Sequence, residues 1–220
     1  MGFEPTTPTL ARLCSTPELR PRECAGVAGE VAGLIAQPRN KCKNYLLPPI
    51  AMTGGPPMPA TRADLFARFD RLDIKTETHE HAPVFTVEEA RALRGAIPGG
   101  HCKNLFLKDE RGAVWLIVCL EEARIDLKAA PAKIGSKRLT FGKPGLLMEV
   151  LGVEPGSVTP FGLINDNAVR TKVILDKPMM DEELLNYHPL RNDATTTIRA
   201  ADLLTFIRSC GHEPRIVAVG

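Results

Sequence analysis

A hairpin in the middle of the chain constrains the fold more than any other stretch. Over 104–108 the residues alternate, Leu105 and Leu107 on one side, Asn104, Phe106 and Lys108 on the other, as in a half-buried strand. Asp109, Glu110, Arg111 and Gly112 read as a turn with glycine at its end. Val114 to Leu120 then runs as a continuous apolar strand, so the two segments predict a β-hairpin. Gly99 and Gly100 lead into it and let backbone come close to something. Lys103 is the odd residue, a cation at the mouth of a hydrophobic strand. Two readings are open for it: a solvated strand-end lysine, or a lysine that holds an anionic or carbonyl-bearing ligand.

The chain has 220 residues, 44% hydrophobic and 25% charged, the balance of an ordinary soluble globular protein. No apolar run is long enough to span a bilayer, and no basic-then-apolar leader is evident, so the expected location is cytoplasmic with no membrane partner. Residues 1–57 stand apart, holding 9 of the 19 prolines with little periodicity. They are expected to be a disordered or spurious N-terminal extension. Gly2-Phe3-Glu4-Pro5-Thr6 back-translates to the T-arm of a transfer-RNA gene, and the run from Leu13 to Leu19 to the complement of its D-arm. That favours a start at Met58 or Met52. The extension carries 6 of the 28 Lys and Arg and 4 of the 26 Asp and Glu, which leaves 22 of each in the rest. A net charge of zero there excludes any nucleic-acid argument from overall charge; binding would need a local patch. The densest is Arg124, Lys128, Lys133, Lys137, Arg138 and Lys143, a solvated face by default and a phosphate contact by alternative.

From Met58 onward, residues 61–72 have the spacing of an amphipathic helix (Leu65, Phe66, Phe69, Leu72), and 74–80 alternate as a strand. Thr86 and Glu89 form a capping box for a helix through Leu93. Further helices are expected from Asp126 to Ile134, interrupted or restarted at Pro131, over 146–151, from Asp181 to Leu185, and over 200–210. Strands are expected over 169–176, 195–198 and 215–219. Strands and helices without regular βαβ repetition predict a mixed α/β fold, one domain over 58–220 with peripheral helices.

Few residues suggest chemistry on their own. Cys102, Cys119 and Cys210 are far apart and form no C-x-x-C, which argues against a disulfide scaffold or structural zinc. Cys119 reads as a core thiol; Cys102, beside Lys103, is a conceivable but unpartnered nucleophile. His79 and His81 sit two apart on a strand, where an exposed polar face outweighs a metal pair. Between Gly156 and Pro160 a tight loop offers the Ser157 and Thr159 hydroxyls and free backbone N–H groups to a carbonyl or phosphate oxygen. Pro189 fixes His188 in an extended conformation, as a packing anchor or as part of a site.

Taken together, Lys103-Asn104-Leu105-Phe106-Leu107-Lys108-Asp109, then Gly156-x-x-x-Pro160, then His188-Pro189-x-x-Asn192 with Thr195, resemble one family. It is the superfamily of YbaK and prolyl-tRNA-synthetase-associated editing domains, and the resemblance covers residues 60–219. It looks closest to the free-standing Ala-tRNA(Pro) deacylases. The resemblance implies a curved mixed sheet with flanking helices and an aminoacyl-tRNA deacylase that hydrolyses mischarged Ala-tRNA(Pro). It implies Lys103 and His188 as catalytic residues, with Asn104, Gly156, Ser157, Thr159, Pro160, Asn192 and Thr195 binding substrate. No metal or other cofactor is implied. The implied partner is the tRNA(Pro) acceptor end, with prolyl-tRNA synthetase as a candidate second. Three alternatives stay open: a Cys-tRNA(Pro) deacylase, a non-hydrolytic module that binds a tRNA acceptor end or an amino acid, and a metal-dependent hydrolase using His79, His81 and Cys102.

Overall fold

The computed structural model describes residues 58–82 and 97–220, all within the unit Met52–Gly220. The expected 1–57 extension and the expected helix over 86–93 lie outside the described residues.

Helix α1 spans Arg62–Arg71. Thr61 caps it: its hydroxyl accepts from the Asp64 N–H at 3.3 Å while the Asp64 carboxylate accepts from the Thr61 N–H at 2.8 Å. Strands β1 (Glu77–Glu80), β2 (Gly100–Asp109) and β3 (Val114–Leu120) follow. The expected hairpin is β2–β3, closed by the Gly112 N–H on the Asp109 carbonyl at 2.9 Å, with Gly112 at φ 85°. Then come α2 (Ala130–Ile134), β4 (Leu139–Phe141), α3 (Pro144–Leu151) and a 3-10 turn at Pro160–Asn165. The chain closes with β5 (Thr171–Asp176), α4 (Lys177–Met180), β6 (Leu184–Tyr187), β7 (Ala194–Arg199), α5 (Ala200–Ser209) and β8 (Arg215–Val217).

The strands form one mixed eight-stranded sheet in the order β1-β7-β6-β2-β3-β5-β8, with β4 added to β2. The mixed α/β expectation holds. One face packs on α1, α3, the 3-10 turn and α5 through Leu65, Phe69, Leu116, Leu151, Phe161 and Phe206. The other holds a smaller core of Leu107, Trp115, Ile117, Ile134 and Ile174. Four aromatic rings lock the larger core: Phe161 stands edge-on to Phe69, Phe206 and Tyr187 at 5.1, 5.5 and 5.5 Å.

Several expectations need correction. Strand β2 is not half-buried: Phe106 is 4% exposed and Leu107 0%, because each face of this central strand meets a core. The expected Asp181–Leu185 helix is absent. Asp181 instead ends α4, and Leu185 and Tyr187 alternate into the larger core from strand β6. Pairing with β7 and β2 overrides the local helical signal. The helix expected from Asp126 begins at Ala130, since the Asp126 carboxylate accepts the Lys128 N–H at 2.8 Å and forms a turn. Strand β4 was not legible inside the basic stretch. The partner of Gly99-Gly100 is protein: a Cβ on Gly99 would stand 2.7 Å from the Leu184 carbonyl oxygen, and one on Gly100 2.8 Å from Leu120 Cδ2.

Gly99 also sits at φ 98°. Gly99→Ala therefore combines an unfavourable backbone conformation with a clash against main chain, and is expected to destabilise by about 2–4 kcal/mol. Chemical denaturation of the variant beside wild type measures this.

Candidate functional site

Strand β2 has three strand partners. β3 covers one edge along its length. On the other edge β6 pairs at Gly100 and His101, and β4 at residues 107–109. Between them residues 102–105 have no strand partner on that edge among the described residues. The side chain of Asn104 reaches from this opening, donating through Nδ2 to the Val158 carbonyl at 2.9 Å. Asn104 thereby ties the 156–160 loop to the sheet, a structural duty that the sequence did not reveal. Its Oδ1 is buried without a hydrogen-bond partner.

The loop is only partly free. Ser157 donates its N–H to the Glu154 carbonyl at 3.0 Å, and Thr159 Oγ1 accepts the Phe161 N–H at 3.3 Å. Pro160 opens the 3-10 turn that carries Phe161 into the core. The N–H groups of Gly156, Val158 and Thr159 make no hydrogen bond among the described residues. Gly156 is exposed at φ 89°, with nothing within 4 Å of an added Cβ. The loop thus keeps main-chain donors while fixed at both ends.

His188 follows β6 and is partly buried. Its Nδ1 lies 2.9 Å from the Ala194 carbonyl, which only accepts, so the neutral ring carries its proton on Nδ1 and presents Nε2 as an acceptor. The His81 ring lies 6.2 Å away. By the same logic His81 donates Nδ1 to the Ala82 carbonyl at 2.8 Å, and its Nε2 meets Thr195 Oγ1 at 3.0 Å. Thr195 is therefore oriented by His81, a residue that the sequence set aside as strand surface. Asn192 is half-buried in the turn between β6 and β7. Asn104 joins the loop, and His188, His81 and Thr195 form a second group.

Lys103 turns away from Asn104. Strand alternation puts it on the opposite face of β2 from Asn104, level with Cys119 on β3. Its Nζ donates to the Glu121 carbonyl at 2.9 Å and to the Ala123 carbonyl. An ammonium has three donors, so one is left for a ligand. Lys103 is therefore not solvated at random, and register sets it on the sheet face of His101, Asn186 and Thr197, which is also the face of Thr195.

The cysteines are quiet. Cys102 lies on the larger-core side near Tyr187, away from the Lys103 ammonium, and burial pushes its thiol up to about 12. Cys119 is the thiol that Lys103 acts on, yet burial still holds it at about 11. Neither is a thiolate at neutral pH. Cys102 and His79 point to different faces, and no group of three or more metal-ligating side chains occurs among the described residues. The metal-dependent arrangement of His79, His81 and Cys102 is therefore not assembled.

Comparisons with known proteins bear on family and fold. Residues 81–206 match the family model of the aminoacyl-tRNA editing domain. Prolyl-tRNA synthetase associated domain-containing protein 1 of Bos taurus is 37% identical over 161 residues, covering 71% of this chain and 94% of that protein. Prolyl-tRNA editing protein ProX of Acetoanaerobium sticklandii is 34% identical over 149 residues, covering 67% and 91%. Among solved structures, hypothetical protein APE2540 matches with a TM-score of 0.56 at 18% identity, over 71% of this chain and 99% of that one. A candidate trans-editing enzyme for prolyl-tRNA synthetase matches at 0.55 and 21%, over 73% and 99%. At these identities the structural matches speak to the fold.

Burial, more than the neighbouring His81, holds His188 below the usual imidazole value of 6.5. The stability tied to its neutral form is complete above 6.5 and is lost as the pH falls through the folded-state value. NMR titration of the ring is expected to give a midpoint below 6.5 and an Nδ1–H tautomer at pH 7.

Proposed function

The chain belongs to the aminoacyl-tRNA editing domain family, and from that premise we propose that it is a trans-acting deacylase that hydrolyses mischarged Ala-tRNA(Pro). The observation that carries this reading is the arrangement around β2: a lysine with one uncommitted donor, and a loop with three unengaged N–H groups held beside that strand by Asn104. The substrate would be an aminoacyl ester on the terminal ribose. Such an ester is already activated, so the silent thiols are no obstacle.

In this reading Lys103 holds the aminoacyl carbonyl or the terminal nucleotide. The N–H groups of Gly156, Val158 and Thr159 line the developing oxyanion or the aminoacyl group. The Nε2 acceptor of His188 positions water or substrate, and Thr195 and Asn192 complete the wall. A neighbouring ribose hydroxyl assists the attacking water. Water adds to the ester carbonyl, the ribose oxygen leaves with a proton, and free alanine and tRNA result.

Selectivity follows from size. A synthetase rejects a smaller amino acid by only about 1–3 kcal/mol per missing methylene, so a second and smaller pocket must remove what the first one admits. Alanine fits such a pocket and proline does not. A basic surface supports an RNA partner. From residue 127 to 148 there are five cations and no acid, and Lys128, Lys137, Arg138 and Lys143 are all exposed. Lys133 is occupied by the Val219 and Gly220 carbonyls, each at 3.0 Å. The working domain is 58–220, the setting cytoplasmic translation, and the partners the tRNA(Pro) acceptor end and prolyl-tRNA synthetase. No helix among the described residues is long and apolar enough to cross a membrane.

The purified chain, given Ala-tRNA(Pro), Cys-tRNA(Pro) and Pro-tRNA(Pro), is expected to release alanine fastest and leave proline attached. Faster loss of cysteine would make it a Cys-tRNA(Pro) deacylase with the same site; binding without any turnover would make it a binding module. Lys103→Ala is expected to lower the deacylation rate by about 100-fold or more, and an unchanged rate would remove Lys103 from the mechanism.

A further inference from the structure

Strand register places a charge opposite Lys103 that none of the roles above uses. Lys103 pairs with Cys119 across β2 and β3. Val118 pairs with Leu175 across β3 and β5, so the next step of that ladder sets Cys119 beside Asp176. Lys103, Cys119 and Asp176 therefore form one row across three strands. Alternation puts all three on the face of Leu105, Ile117 and Ile174. Neighbouring strands lie about 4.8 Å apart, so the outer two backbones are about 10 Å apart, with Cys119 between the two charges.

Asp176 is 1% exposed. It occupies the N-cap position of α4 but makes no capping bond. Its Oδ1 accepts the Val219 N–H at 2.8 Å, while Oδ2 is buried without any hydrogen-bond partner. A buried carboxylate oxygen left bare is costly unless something else compensates it. Oδ2 shares a neighbourhood with the Lys103 anchor: a Cβ at Gly220 would stand 3.8 Å from Asp176 Oδ2 and 3.9 Å from Ala123 Cβ, and the Ala123 carbonyl receives the Lys103 ammonium. The Cys119 thiol, between the two, feels both charges, Lys103 lowering its titration and Asp176 raising it.

We propose that Asp176 is a positioning residue for Lys103, acting across Cys119 through the charge on its buried carboxylate. The carboxylate compensates the ammonium in a poorly solvated place and keeps it at the sheet end, directed at the carbonyls of 121 and 123, with its third donor facing the ligand. The competing account makes Asp176 a latch for the C-terminal segment through Val219. A latch needs only an acceptor oxygen, which asparagine also has; positioning needs the charge.

The discriminating variant is Asp176→Asn in the full chain, with Asp176→Glu as the charge-conserving control. The role assigned to Lys103 rests on the deacylase reading, so two readouts are taken. The first is kcat and KM for Ala-tRNA(Pro). The second is the side-chain 1H–13Cε NMR signal of Lys103, assigned with Lys103→Arg, which needs no turnover. Asp176→Asn is expected to lower kcat about tenfold with KM little changed, to move the Lys103 signal, and to leave the unfolding midpoint close to wild type. Asp176→Glu is expected to keep the Lys103 signal near its wild-type position. A Lys103 signal that coincides in Asp176→Asn and wild type would overturn the proposal, whether or not stability falls. Should wild type hydrolyse none of the aminoacyl-tRNAs, the deacylase reading fails by itself, and the NMR signal alone decides the case for Asp176.

Discussion

Strand β2 is the member on which the rest depends. It is ten residues long, buried on one face at Phe106 and on the other at Leu107, and shared among β3, β4 and β6. A strand held on both edges and both faces cannot slip by one residue without exchanging its two cores, since a shift of one turns every side chain to the other face. That rigidity is what a site needs: Asn104 and Lys103, adjacent in sequence, are aimed in opposite directions with fixed geometry. The entry of the strand depends on Gly99, crowded by the Leu184 main chain at the start of β6, and on Gly100, crowded by the Leu120 side chain of β3.

Around β2 the fold arranges polar groups sparingly. The 156–160 loop is anchored on one side by the Asn104 amide and on the other by Phe161, whose ring meets Phe69, Phe206 and Tyr187. The loop therefore inherits the stiffness of the larger core, and its unengaged N–H groups are held ready instead of reorganising on binding. The groups that would make a strong nucleophile are suppressed by the same burial: Cys102 and Cys119 are both neutral thiols. A site built of donors, one ammonium and imidazoles suits a substrate that brings its own activation.

The hairpin, α1, α3 and α5 were legible because their signals are local: alternation, the helical spacing of Leu65, Phe66, Phe69 and Leu72, Pro144 at a helix start, Gly211 just past a helix end. β6 was not. Its four residues follow a turn after Asp181 and look like a short capped helix until β7 and β2 supply partners. β4 failed for a similar reason, since three residues in a basic stretch become a strand only by pairing with β2. Of the site, the residues carrying the family motif could be picked out, but not their arrangement. The tie between Asn104 and Val158 spans 54 positions, and that between His81 and Thr195 spans 114.

The sequence by itself determined the mixed α/β class, the hairpin at its centre, the set of candidate residues and the resemblance to editing domains. Each of these is written in short-range pattern or in motif order. Only the tertiary structure decided that Lys103 and Asn104 face apart, that Cys102 is buried and inert, that His81 orients Thr195, and that Asp176 comes into line with Lys103. Those are facts of strand register and burial, fixed by which strand lies beside which, and no local stretch of chain encodes a neighbour 70 residues away.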